Sequence, residues 1–170
     1  MDYAPSVYVG TYAKYNAGSI GGEWVNLEGF AGDRAGFLAK CAEIHADEAD
    51  PELMFQDFQN FPRGFYSESE LPEALFEWLD LDEQDRELLT RYQDAIGDND
   101  ATIDDARDRF SGTANSVAEF AEQIAEDCGE IPKDIPAWIV IDWESSWNCN
   151  LRFDYSTSEA EHGTIYFFHH

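Results

Sequence analysis

The sequence predicts an α+β protein built from three small modules, and three observations carry that prediction. Stretches rich in β-branched and aromatic residues cluster before residue 62. Between residues 62 and 115 they give way to apolar residues at helical spacing. After residue 115 helical patterns precede a pair of short aromatic strands. The predicted modules are residues 1–61, a small antiparallel sheet plus a helix; residues 62–115, a bundle of short helices; and residues 116–170, helices plus a second small antiparallel sheet. A chain of 170 residues fits one large domain or two to three small ones, and 15% aromatic residues supply enough bulk for cores.

In the first module residues 6–12 (Ser-Val-Tyr-Val-Gly-Thr-Tyr) read as a strand, and Asn16, Ala17, Gly18 and Ser19 turn the chain. Residues 22–27 read as a second strand. Asp33 is placed to cap a helix that turns Phe37, Leu38, Cys41 and Ile44 inward, and Asp50-Pro51 ends it. Residues 53–58 form a third strand before Pro62.

In the central module Leu71, Leu75, Trp78 and Leu79, then Leu88, Leu89, Tyr92 and Ile96, fall on helical stripes. Pro72 suits a first helical turn. Asp80 with Glu83 resembles a capping box, and Gly97 is placed to end the helix it opens. Thr102 is read as the cap of a short helix with Ile103, Ala106 and Phe110 inward, followed by a loop at Gly112-Thr113.

In the last module Ser116 and Glu119 form a capping box ahead of a stripe of Val117, Phe120, Ile124 and Cys128, with Gly129 closing the helix. Pro132 and Pro136 bracket a linker. Residues 138–151 put Ile139, Trp143, Trp147 and Leu151 at i, i+4, i+8 and i+12, which favours a helix over a buried strand. Residues 152–156 and 164–168 are read as a hairpin around Gly163.

Charge dominates the composition. Ten bases face 36 acids, a net charge of −26. The modules carry 10 acids against 3 bases, 15 against 5, and 11 against 2, so the charge is spread along the whole chain. It is densest in residues 68–108, where 15 acids face three arginines, Arg86, Arg91 and Arg107. Such a chain repels DNA, RNA and anionic membranes, so neither nucleic acid nor membrane is expected as a partner. The expected partner is cationic, or is a surface built to receive an anion. The candidate contact residues are a distributed set on predicted outer faces: Glu68, Glu70, Glu73, Glu77, Asp80, Asp82, Glu83, Glu87, Asp94, Asp98, Asp100, Asp104, Asp105, Glu119, Glu122 and Glu126. Three cysteines, Cys41, Cys128 and Cys149, make no disulfide framework and fit a reducing compartment. With no signal peptide and no apolar run near ~18 residues, a soluble cytoplasmic protein is expected.

No catalytic residue, cofactor or metal is predicted. The sequence holds no G-x-G-x-x-G, no Walker A and no H-E-x-x-H. His45, His162 and the terminal His169-His170 are too scattered for a zinc site. Asp98-Asn-Asp100-Ala-Thr102 begins like an EF-hand loop, but Ile103 and Arg109 replace its required glycine and glutamate. Asp142 and Glu144, two apart on a helix, would diverge rather than share a substrate.

One resemblance bears on function. Tyr8-Val-Gly-Thr-Tyr-Ala-Lys-Tyr-Asn-Ala-Gly-Ser-Ile-Gly-Gly-Glu-Trp24, Pro51-Glu-Leu-Met-Phe-Gln-Asp57 and Ile141-Asp-Trp-Glu144 together resemble the ArdA antirestriction family over nearly the whole chain. The resemblance implies three modules in a curved, elongated row and a homodimer joined through the C-terminal module. It implies a charge that mimics bent B-form DNA in the groove of a Type I restriction-modification enzyme, at its methyltransferase core, and carriage on a mobile genetic element. It supplies no single essential residue. The scale agrees: 26 net charges equal those of ~44 Å of duplex, or ~13 base pairs. Two other classes compete. An acidic adaptor or chaperone for basic proteins would more typically use a mobile acidic run, and none here exceeds three acids. A halophilic small domain, acidic only for solvation, would need a concave pocket and a perturbed titratable group.

Overall fold

The computed structural model describes residues 3–170. Among them are seven α-helices and two three-stranded antiparallel sheets, an α+β architecture. The chain divides into two compact units, one ending at Arg86 and one beginning at Glu87. Among the described residues no helix is long and apolar enough to cross a membrane.

The first unit holds β1 (Ser6–Thr11), α1 (Tyr12–Asn16), β2 (Glu23–Asn26), α2 (Arg34–Ile44), β3 (Leu53–Gln59) and α3 (Glu73–Asp80). Its sheet runs β2-β1-β3, with Val7 paired to Val25 on one side and Phe58 on the other. The core converges on Phe37 of α2. Its ring lies 5.9 Å from Phe30, 5.9 Å from Phe55 on β3 and 5.4 Å from Phe76 on α3. Hydrogen bonds to main-chain carbonyls reinforce that convergence. Gly32 N–H donates to the Phe76 carbonyl at 2.9 Å, and Arg34 Nε donates to the Leu71 carbonyl at 2.8 Å. Gly22 lets the loop before β2 pass close to β1, since a Cβ there would sit 2.2 Å from the Val9 carbonyl oxygen.

Two details here depart from expectation. Residue 12 begins α1 rather than ending the strand, because the Thr11 hydroxyl accepts from Lys14 N–H and starts a helical turn. Leu38 is exposed. The buried stripe of α2 is Phe37 and Cys41, one turn apart, and Leu38 lies about 100° further round the helix.

α4 (Glu83–Ile96) carries the boundary between the units. Asp82 is its cap, accepting from Asp85 N–H at 2.9 Å, while Asp80 still belongs to α3. The cap expected at Asp80 is therefore displaced by two residues, to Asp82. Gly97, at φ 69°, ends the helix as expected, donating to the Gln93 carbonyl at 2.9 Å.

The second unit continues with α5 (Ile103–Arg109), β4 (Phe110–Ala114), α6 (Val117–Asp127), α7 (Trp143–Cys149), β5 (Tyr155–Glu159) and β6 (Ile165–His169). Its sheet order is β4-β6-β5. Alternation along β6 sets the layers. Phe167 stacks on Phe120 of α6 at 3.8 Å and meets Trp147 of α7 edge-on at 5.3 Å. Phe168 points to the opposite face, where Tyr92 of α4 lies 5.1 Å away.

Here the corrections are larger. Phe110–Ala114 is a strand, not the end of a helix and a loop. Gly112, at φ 133°, sits at a register irregularity opposite β6. Phe110 is accordingly not inward on a helix but a half-open strand residue beside Tyr166 and Phe168. The helix expected over 138–151 is only Trp143–Cys149. The Asp142 carboxylate accepts from Ser145 N–H at 2.9 Å and fixes the start, leaving residues 137–142 irregular. Trp147 is buried as expected, whereas Trp138, Ile139 and Val140 are exposed. Cys128 is exposed at the helix end rather than buried. Thr102 with Asp105 forms a complete capping box. Ser116 caps α6 as expected, but Glu119 reaches one residue further back, to Asn115 N–H at 2.7 Å.

Phe37→Ala is expected to cost about 3–5 kcal/mol, because the ring joins helix and sheet layers, while Leu38→Ala costs about 0.5 kcal/mol or less. Urea unfolding of the two variants measures the difference. A second expectation concerns pH. Bonds from Ser145 N–H and then the Ser145 hydroxyl hold the Asp142 carboxyl below its usual range. A depressed folded-state value gives stability that is present above ~pH 4, the unfolded carboxyl range, and is lost as pH falls through the lower folded value. Asp142→Ala should therefore melt below wild type at neutral pH, and the gap should close as pH falls below ~4. A gap unchanged at acid pH would contradict this account of the cap.

Candidate functional site

On α3 the apolar and acidic residues separate by face. Leu75, Phe76, Trp78 and Leu79 are buried, while Glu73, Glu77 and Asp80, spaced four and three apart, are exposed. On α6 Phe120 and Ala121 are buried while Glu122 and Glu126, again four apart, are exposed. Of the sixteen candidate acids fourteen are exposed; Glu87 and Glu119 are half-buried. None of the sixteen is a buried group of the kind a catalytic pocket contains.

They divide by what they touch. Asp82, Asp105 and Glu119 cap helices. Glu70 pairs with Arg34 at 3.0 Å and Asp104 with Arg107 at 3.4 Å. Glu68 accepts from the Tyr12 hydroxyl at 3.1 Å. Asp94 accepts from the buried Ser158 hydroxyl at 2.6 Å, and Asp98 from Asp100 N–H at 2.9 Å. Arg91 Nε lies 3.2 Å from Glu87 without pointing its N–H along that line, so that contact is an ion pair rather than a hydrogen bond. Among the described residues no ion pair or hydrogen bond engages the carboxylates of Glu73, Glu77, Asp80, Glu83, Asp100, Glu122 or Glu126. Asp108, exposed and one turn beyond Asp104 on α5, belongs with them; its i+4 spacing was the available sign.

Three of the ten cations bond the protein's own main chain. Arg86 donates to the Trp78 and Leu79 carbonyls at the end of α3 and lies 4.8 Å from the centre of the Trp78 ring. Arg34 reaches the Leu71 carbonyl, and Arg91 donates to the Glu159 carbonyl at 2.9 Å. A further cation cluster, Lys14 with Asp47 at 2.9 Å and His45 at 2.8 Å, ties α1 to the end of α2. Its Lys14–Asp47 bond raises the Lys14 ammonium and lowers the Asp47 carboxyl. Bonds from the Thr102 hydroxyl and N–H likewise hold Asp105 low.

The chemistry on offer is presentation of fixed negative charge. Among the described residues no group of three or more His, Cys, Asp or Glu side chains could hold a metal ion. The second unit also has an apolar groove of about 370 Å³, lined by Ile124, Ile131, Pro132, Ile141, Trp143 and Leu151 among others. In the segment leading to it Trp138 is 82% and Val140 86% exposed.

Comparison with curated proteins and with solved structures returns no significant match. A family model described as antirestriction protein (ArdA) matches residues 7–166, nearly the whole chain. The chain thus belongs to the ArdA family of antirestriction proteins, inhibitors of restriction-modification enzymes rather than enzymes themselves.

Proposed function

We propose that this protein inhibits by DNA mimicry: its carboxylates take the place of duplex phosphates in the DNA-binding groove of a Type I restriction-modification enzyme, at the methyltransferase core. The observation that carries the reading is the set of outward, unengaged carboxylates on α3 and α6, held at fixed spacing by buried apolar stripes. A groove built to bind DNA is lined by cations that neutralise phosphates, and an array of fixed anions competes for the same cations. Arg34, Arg86 and Arg91 support the reading, because they stabilise the fold through main-chain carbonyls while the acids of α3 and α6 stay unpaired. The acting species in this reading is a cytoplasmic homodimer joined through residues 116–170. Trp138, Ile139, Val140 and Phe153 are exposed there, and apolar side chains left in water favour a partner surface.

Neutralising one unengaged acid, as in Glu77→Gln, should weaken inhibition only about 1.4- to 5-fold, the worth of one exposed ion pair. Neutralising Glu73, Glu77, Asp80, Glu83, Glu122 and Glu126 together should weaken it by more than about 100-fold without unfolding the protein, since self-repulsion is relieved and no apolar stripe is touched. Inhibitor affinity across these variants is the test. A single exposed acid whose loss abolishes binding in a folded protein would replace the distributed surface with a discrete site.

The dimer has its own test. Trp138→Ser with Val140→Ser should convert the protein to a monomer by analytical ultracentrifugation while leaving the Phe120–Phe167 core intact. A dimer that persists would place the interface elsewhere.

A further inference from the structure

We infer that Gln93 is a positioning residue that fixes the acidic loop of residues 97–101 for partner binding, an inference that rests on the mimicry reading above. Gln93 lies on α4 and is only 6% exposed. A buried amide is costly unless bonded, and this one is fully used as a donor. Its Nε2 donates to the Asn99 carbonyl at 3.1 Å and to the Ala101 carbonyl at 3.0 Å. Both partners are acceptors only, so the NH2 end of the amide must face them. Its own backbone carbonyl accepts from Gly97 N–H at 2.9 Å and Asp98 N–H at 3.2 Å. One residue therefore holds the loop at four points.

That loop carries Asp98 and Asp100, both exposed, and it leads directly into the Thr102–Asp105 capping box. Like charges this close push a loop outward. Gln93 opposes that tendency with neutral donors, so the carboxylates keep a set spacing in a segment with no helix to space them. Charge alone and positioning give opposite signs for one substitution. Gln93→Glu keeps the size, adds a negative charge, and replaces the two donated bonds with repulsion between a carboxylate and two carbonyls. Gln123→Glu adds the same charge on the exposed part of α6 and breaks nothing.

The experiment is displacement of a labelled DNA duplex from a Type I methyltransferase core by wild type, Gln93→Glu, Gln93→Met and Gln123→Glu, at several salt concentrations. Hydrogen exchange of residues 97–101 is followed in parallel. Gln93→Met removes the donors without adding charge and keeps the test valid if Gln93→Glu folds poorly. Both Gln93 variants are expected to lose about three- to tenfold in affinity, the worth of two exposed ionic contacts, with a shallower salt dependence and faster exchange confined to the loop. Gln123→Glu is expected to bind at least as well as wild type. Faster exchange with unchanged affinity and salt slope would show that Gln93 serves the fold alone and would overturn the inference. So would a Gln93→Glu protein that competes better than wild type. If wild type itself does not displace DNA, the mimicry reading fails, an outcome distinct from variants that match a competent wild type.

Discussion

Self-repulsion among carboxylates is the constraint to which the rest of this structure answers. A net charge of −26 on 170 residues favours any state that moves the charges apart. Unfolding does so, and the cores must outweigh it. They do so with rings: Phe37 against Phe55 and Phe76 in the first unit, Phe120 stacked on Phe167 in the second. Burying aromatic area is insensitive to charge elsewhere, so it can hold acidic faces apart in water without pairing them. Helices suit this arrangement, since a 3.6-residue period sends one stripe inward and the opposite one out.

Some of the few cations relieve the repulsion directly, as Lys14 does with Asp47, Lys40 with Glu43 and Arg107 with Asp104. Arg34, Arg86 and Arg91 bond main-chain carbonyls, and Arg86 also packs on Trp78. Each guanidinium thus joins two segments, while Arg34 also pairs with Glu70 and Arg91 with Glu87. Capping acids such as Asp82 and Asp105 serve both ends: they satisfy helix N–H groups and add charge beside the unengaged set.

What could be read in the sequence was whatever helical periodicity or a capping side chain records locally. The α3 stripe, the Thr102 and Ser116 caps, and the glycine ends at Gly97 and Gly129 all lie in runs of a few residues. The exposed acids were legible for the same reason, as the complement of the buried stripes. What was not legible depends on contacts distant in sequence. β4 reads as a turn because Gly112-Thr113 is turn-like in isolation, and only β6, more than 50 residues later, makes it a strand. Spacing misled at residues 138–142: Ile139 continues the helical register of Trp143 and Trp147, but the Asp142 cap stops the helix short of it. The roles of Arg86 and Gln93 were equally hidden, since a charged or amide residue on an acidic helix reads as solvated surface until its carbonyl partners are seen.

The central claim is that inhibitor and DNA occupy one groove, and an equilibrium competition measurement tests it most directly. The apparent affinity of this protein for a Type I methyltransferase core is measured at increasing concentrations of a duplex carrying the recognition site. The account predicts strictly competitive behaviour, with apparent affinity falling in proportion to bound DNA and no complex containing all three components. A stable ternary complex, with the duplex still in the groove while this protein is bound, would contradict it.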